Sequence, residues 1–170
     1  MRLLELSPTL ILVLNFGLWP VIHFVAGYLA AKRPRSSFRP EHGLYRLRRF
    51  ETAGKGLIYE RLGVRVWKSW LPDFGDFFKP GFAKKQLKMR NREYLEAFYV
   101  ETCRAEFAHW LTMTGAPVFL LWNKWWVELI MIAYALAVNL PCIIVQRYNR
   151  ARLARLLRME SNAQFPLSGS

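Results

Sequence analysis

The sequence predicts an all-α fold: a small multi-pass membrane protein with three transmembrane helices and amphipathic helices on the cytoplasmic surface. Two observations carry this. Hydrophobic residues make up 53% of the 170-residue chain and aromatics 15%, yet the mean hydropathy is only +0.06. A strongly basic part therefore offsets a strongly apolar part, as in membrane spans joined by wet basic loops. The apolar runs also approach or exceed the roughly 20 residues that cross a bilayer as a helix.

The first run, Thr9 to Ala31, has 23 residues. It is too long for a signal peptide. Only Arg2 precedes it, set against Glu5, and the basic KRPR follows directly, so it reads as a retained span (about 9–31). Pro20 predicts a kink. Asn15 and His23 are polar within the run. Such groups either bond neighbouring helices or line a substrate tunnel.

Residues 32–103 carry 17 Lys and Arg against eight Asp and Glu, a net +9. The positive-inside rule makes this loop cytoplasmic, with the N-terminus outside and the C-terminus inside. Leu44, Leu47, Phe50, Leu57, Ile58 and Leu62 recur at near-helical spacing among arginines, as in a helix lying on the membrane surface. VRVWKSW alternates like a short strand. LPDFGDFFKPGF, Leu71 to Phe82, reads as a loop. A second amphipathic helix from about Lys84 runs into Glu101.

The middle span, about 104–122, is short and holds Gly115 and Pro117. WNKWW then marks an interface and a tight turn. The last span, about 127–146, returns inward and ends in the arginine-rich QRYNRARLARLLR. Residues 1–158 read as one integral-membrane domain and 159–170 as a flexible tail.

The net charge of +13 raises nucleic acid as a partner. The basic residues crowd beside apolar runs, which points instead to anionic lipid or an anionic substrate. Cys103 and Cys142 lie near cytoplasmic span ends, where thiols stay reduced, and lack metal-type spacing.

Chemistry concentrates in ETCRAEFAHW, Glu101 to Trp110. Glu101, Arg104, Glu106 and His109 sit where an apolar run begins, and ionisable groups at that depth are expensive. Glu101, Glu106 and His109 fall within an arc of about 140° on a helix. Glu106 and His109, at i,i+3, can touch, and a carboxylate beside an imidazole makes a general base. A salt-bridged anchor is the competing reading. A metal site would need a second Glu-x-x-His pair, so no metal is expected.

A second stripe holds Asn139, Gln146 and Arg150, with Arg147 beside it, facing something polar. Arginine suits phosphate. Arg152, Arg155 and Arg158 read as an ordinary positive-inside flank. Trp67 and Lys68, in Arg65-Val66-Trp67-Lys68, are a weaker candidate for substrate binding.

ETCRAEFAHW, a hydrophobic hairpin and NLPCIIVQRYNRARLARLLR together resemble the glycosyl-4,4'-diaponeurosporenoate acyltransferases of staphyloxanthin-type carotenoid synthesis. The resemblance runs roughly from Phe50 to Arg158. It includes Phe50-Glu51, Gly54-Lys55, Arg65 and Trp67-Lys68, and departs from the family pattern around LPDFGDFFKPGF. It implies esterification of a sugar hydroxyl by a long acyl group.

The residues then take assigned roles. His109 would be the base, with Glu106 or Glu101 orienting it. Arg147, Arg150 and Arg104 would hold the phosphates of an acyl-CoA co-substrate. Gln146 or Asn139 would face the oxyanion. These groups are expected to converge on one cavity open to the cytoplasm. The acceptor would be a glycosylated carotenoid or glycolipid arriving through membrane lipid. No cofactor is expected. The alternatives are a non-catalytic membrane subunit that binds anionic lipid or a protein partner, and a lipid transferase with a phosphate-containing donor.

Overall fold

A computed structural model describes residues 3–52, 57–71 and 92–164. Among them every regular element is helical. α1 spans Pro8–Lys32 and starts with Ser7 as its cap, whose Oγ accepts from Leu10 N at 3.3 Å. The chain then passes through two 3-10 turns, Arg35–Ser37 and Gly43–Tyr45, into three short helices. These are α2 (Arg49–Thr52), α3 (Leu57–Arg61) and α4 (Val64–Trp67), the last followed by a 3-10 turn, Lys68–Trp70. α5 is Arg92–Met113 and α6 is Trp125–Gln164, joined through a 3-10 helix, Ala116–Leu121.

α5 and α6 form an antiparallel hairpin, and α1 packs against α5. Leu4 N donates to Leu121 O at 2.7 Å, so the start of the chain lies at the hairpin turn. Asn15 clasps that turn. It donates to Asn123 Oδ1 at 3.1 Å and accepts from Asn123 Nδ2 at 2.7 Å and Trp122 Nε1 at 2.8 Å. Asn15 thus bonds a neighbouring element, while His23 Nδ1 bonds its own helix at Trp19 O, 2.9 Å away. Trp19 and Phe119 stack at 4.9 Å in the apolar cluster beneath the clasp. A second cluster, Tyr59, Val64, Tyr148 and Ala151, forms where the short helices dock on α6.

α1 and α6 are long and apolar enough to cross a membrane. Only 11% of the apolar window of α1 is buried, with Phe16, Phe24, Val13 and Leu12 among its exposed residues. A helix that presents such a face outward is not the core helix of a water-soluble protein, and the two helices point to membrane association.

Several expectations are corrected. The middle apolar run is not one straight helix: it breaks after Met113 at Thr114–Gly115, and Pro117 opens the 3-10 segment. The described parts of residues 44–62 are short helices and turns, with a 3-10 turn ending at Tyr45, a non-helical residue at Arg46 and α2 starting only at Arg49, so one surface helix does not run from Leu44. Leu44, Phe50, Ile58 and Leu62 remain exposed. VRVWKSW is helical, not a strand. Gly63 adopts a left-handed φ of 63°, which starts α4, and Trp67 Nε1 reaches back to Leu62 O at 2.8 Å. α6 itself runs on to Gln164. Pro72 to Asn91, including most of the phenylalanine-rich loop and the start of the helix expected from Lys84, lies outside the described residues.

Candidate active site

The hairpin of α5 and α6 brings two polar constellations into its interior. The larger is charged. Glu106 on α5 is fully buried and receives Arg147 Nη1 at 2.8 Å, Arg150 Nη2 at 2.6 Å and Trp110 Nε1 at 3.2 Å. Arg147 also grips Glu51 of α2 with two parallel bonds, Nε to Oε1 at 2.7 Å and Nη2 to Oε2 at 2.9 Å. Glu51 further accepts from the Tyr59 hydroxyl and from Arg48 N at 2.5 Å. Burial pushes the Glu51 carboxyl up, but bonds from Arg147, Tyr59 and the Arg48 amide outweigh it. Its pKa is held below the usual carboxylate range.

Two glutamates and two arginines thus form a closed, charge-balanced unit. Arg147 has five N–H bonds, and all are spent inside the protein, with Leu44 O at 3.0 Å and Arg46 O at 3.1 Å taking the last two. Arg150, also fully buried, spends four of five on Thr102 Oγ1, Thr102 O, Tyr45 O and Glu106. These two arginines, expected to hold donor phosphates, direct these donors to protein partners instead. In this arrangement they anchor the loop after α1, α2, α5 and α6 to one another.

The smaller constellation is His109 with Asn139. The i,i+3 spacing offers Glu106 as a partner for His109, but Glu106 turns to the arginines, whose charge-assisted bonds are stronger. His109 Nδ1 lies instead 3.0 Å from Asn139 Oδ1 on α6. Asn139 is fully buried, and its Nδ2 donates to Ala135 O at 2.9 Å. That bond turns the amide oxygen toward the ring. An oxygen can only accept, so Nδ1 of His109 carries the proton and Nε2 keeps its lone pair. The geometry orients the imidazole, and in the neutral ring Nε2 is the basic nitrogen. One N–H of the Asn139 amide is committed to Ala135 O and its oxygen to the ring.

The remaining candidates separate. Glu101 pairs with Arg104 at 3.1 Å, and the Arg104 guanidinium lies 5.2 Å from the Phe38 ring. Gln146 is half-buried and makes no hydrogen bond among the described residues. Trp67 is tied to Leu62, and Lys68 Nζ sits 5.0 Å over the Tyr148 ring. Of the residues expected to share one cavity, His109 contacts Asn139, and Glu106 contacts Arg147 and Arg150. Cys103 and Cys142 are both free. Burial pushes the fully buried Cys103 thiol up to about 11, which disfavours a thiolate nucleophile. No group of three or more His, Cys, Asp or Glu side chains suited to a metal occurs among the described residues.

Glu51, Tyr59, Thr102 and Tyr45 were missed as members of the charged unit. Glu51 had two available signals, as the acid between Arg49 and Lys55 and as part of the Phe50-Glu51 pair in the family resemblance.

Comparison with known proteins bears on these residues. A sequence model of the family described as glycosyl-4,4'-diaponeurosporenoate acyltransferase matches residues 41–159. That range contains every residue of both constellations and excludes α1. Proteins of that name from Staphylococcus aureus strains bovine RF122 / ET3-1 and MRSA252 are each 34% identical over 143 residues, covering 83% of this chain and 84% of theirs. The one from strain N315 is 32% identical over 141 residues, with the same coverage. No solved structure matches.

Proposed function

We propose that this chain, which belongs to the glycosyl-4,4'-diaponeurosporenoate acyltransferase family, is a membrane-bound O-acyltransferase that moves a long acyl chain from acyl-CoA to a sugar hydroxyl of a glycosylated carotenoid or related glycolipid. The observation that carries the mechanism is the His109–Asn139 pair, with Nε2 of His109 left as a base.

In this mechanism Nε2 takes the proton of the acceptor hydroxyl as its oxygen attacks the thioester carbonyl carbon. Collapse of the tetrahedral intermediate breaks the C–S bond. The leaving thiolate takes the proton back from the imidazolium, and the products are the ester and free coenzyme A. Asn139 holds the ring in the productive tautomer throughout. Gln146, whose side chain is uncommitted, is the candidate donor to the oxyanion. Glu106 acts through the buried charged unit, keeping α5 and α6 in register so that His109 and Asn139 meet. Glu101 and Arg104 anchor the helix near the cytoplasmic surface. The acyl chain and the carotenoid, both apolar, reach the site from the bilayer, whose contact the exposed apolar faces of α1 and α6 favour.

The topology that goes with this reading has three membrane-crossing segments, the N-terminus and the 122–125 turn outside, and residues 32–103 and the end of α6 in the cytoplasm. The net +9 of the loop supports it. Thiols introduced in the loop should resist labelling from outside intact cells, whereas one at Lys124 should react.

The activity is tested with purified protein, a long-chain acyl-CoA and a glycosylated carotenoid, following the ester by mass spectrometry. Ester formation by wild type and its loss in His109→Ala is the expected result. Equal turnover in the variant removes His109 as the base.

A further inference from the structure

Arg152 and Arg155 look in the sequence like part of a positive-inside flank. In the structure they share a cavity of about 540 Å³ with Arg65 and Lys68, more than eighty residues away in the chain. The floor is aromatic, Tyr59 and Tyr148, whose rings meet at 5.9 Å. Lys68 Nζ lies 5.0 Å and the Arg152 guanidinium 5.7 Å from the centre of the same Tyr148 ring. Four cations line this space against one carboxylate, Glu60. None of the four head groups forms an ion pair or hydrogen bond with another described residue, in contrast to the saturated Arg147 and Arg150. A merely solvated flank would spread its charges around the helix. Here i,i+3 pairs on two facing elements, Arg65 with Lys68 and Arg152 with Arg155, turn toward one volume.

We propose that this cavity binds the phosphates of the acyl donor, a nucleotide-bearing thioester of the coenzyme A class. The inference rests on the acyltransferase reading for the identity of the donor, and on the cavity itself for the phosphate. Its size falls within the range of small-molecule sites. Guanidinium and ammonium groups are the usual phosphate donors, and the buried rings of Tyr59 and Tyr148 back the cations that face the cavity. Burial, then Arg152 and Arg65, lowers the pKa of Lys68, a like-charge crowding that a bound polyanion relieves. The location also fits. Arg152 lies thirteen residues beyond Asn139 on α6, roughly 20 Å along the axis. A donor anchored there reaches His109 only through a long flexible arm, and a phosphopantetheine chain is such an arm. The same cations would also receive the phosphate of an anionic lipid headgroup, and the experiment separates the two sources.

The full chain is placed in nanodiscs of phosphatidylcholine and titrated calorimetrically with coenzyme A and with adenosine 3',5'-bisphosphate. Both should bind at one site and weaken as salt rises. Arg152→Gln and Arg65→Gln, both at exposed positions, should each weaken binding by about ten-fold, the loss of one charge-assisted bond. His109→Ala should bind as wild type does. Unchanged coenzyme A affinity in the Arg65→Gln, Arg152→Gln, Arg155→Gln triple variant overturns the site. So does retention of phosphatidylglycerol by these residues with no affinity for coenzyme A, which makes the cavity a headgroup site. Wild type that binds coenzyme A but transfers no acyl group leaves the cavity standing and sinks the activity. Transfer by the triple variant with an unchanged donor KM does the reverse.

Discussion

Asn139 Oδ1 stands 3.0 Å from His109 Nδ1, joining two helices at residues 30 apart in the chain. The bond runs from ring to amide because the other face of the amide is already spent on Ala135 O. The His109 ring is therefore held by a neutral partner, which avoids burying a second carboxylate beside Glu106. Asn139→Leu should keep the apolar packing but release the ring. We expect kcat to fall about 10–100-fold, the scale seen when a partner that orients a metal-bound histidine is lost. The donor KM should stay unchanged. His109→Ala should cost about 10²–10⁴-fold. Steady-state kinetics on the two variants separates positioning from base catalysis, and equal losses would contradict it.

Glu106→Gln removes a buried charge that Arg147 and the buried Arg150 share. A broken buried pair typically costs about 3–5 kcal/mol, because the remaining charge is left uncompensated. The expected phenotype is lost thermal stability and yield rather than a clean catalytic defect. The double variant Glu106→Gln, Arg150→Gln restores charge balance and should lose less than the two single variants together. Melting curves in detergent check this. Strict additivity would mean that the pair is not coupled.

The helical class and the apolar runs were legible because both are local: a period of 3.6 and a run length can be read off consecutive residues. The chemistry was legible only as inventory. Glu106 and His109 are three residues apart, so the sequence offers them as partners. The bonds that claim Glu106 come from 41 and 44 residues away, and that choice depends on how α6 docks. Arg147 looked free for phosphate for the same reason, since Glu51 is 96 residues distant. Conversely, Arg152 and Arg155 looked like solvated flank because their cavity is completed by the loop carrying Arg65 and Lys68. VRVWKSW alternates as a strand does, yet the left-handed turn at Gly63 starts a helix there.

Acid should loosen the charged unit through Glu51. Its folded pKa is depressed, so its contribution is fully present above the unfolded glutamate value, about 4.3, and is lost as pH falls through the lower folded value. The stability gap between wild type and Glu51→Gln should be wide at neutral pH and narrow below about pH 4. Melting temperatures across pH 7 to about 3 read this directly. A gap that widens toward acid would reverse the sign and contradict the assigned bonds.

Gly115 permits the close approach of α1 to the hairpin turn. A Cβ there would lie 2.8 Å from Ile22 Cγ2 and 3.2 Å from Thr112 O, so the backbone conformation is ordinary and the constraint is space. Gly115→Ala should push α1 outward at a cost of about 1–3 kcal/mol. Ile22→Ala alone leaves a void, but in the double variant the new methyl occupies part of it. The double variant should therefore lose less than the sum of the singles. His109 and Asn139 sit on α5 and α6, and the family match at 41–159 excludes α1. Turnover at low temperature should thus survive Gly115→Ala while thermal stability drops. If turnover falls as far as stability does, α1 helps shape the acceptor path and is more than a clamp on the turn.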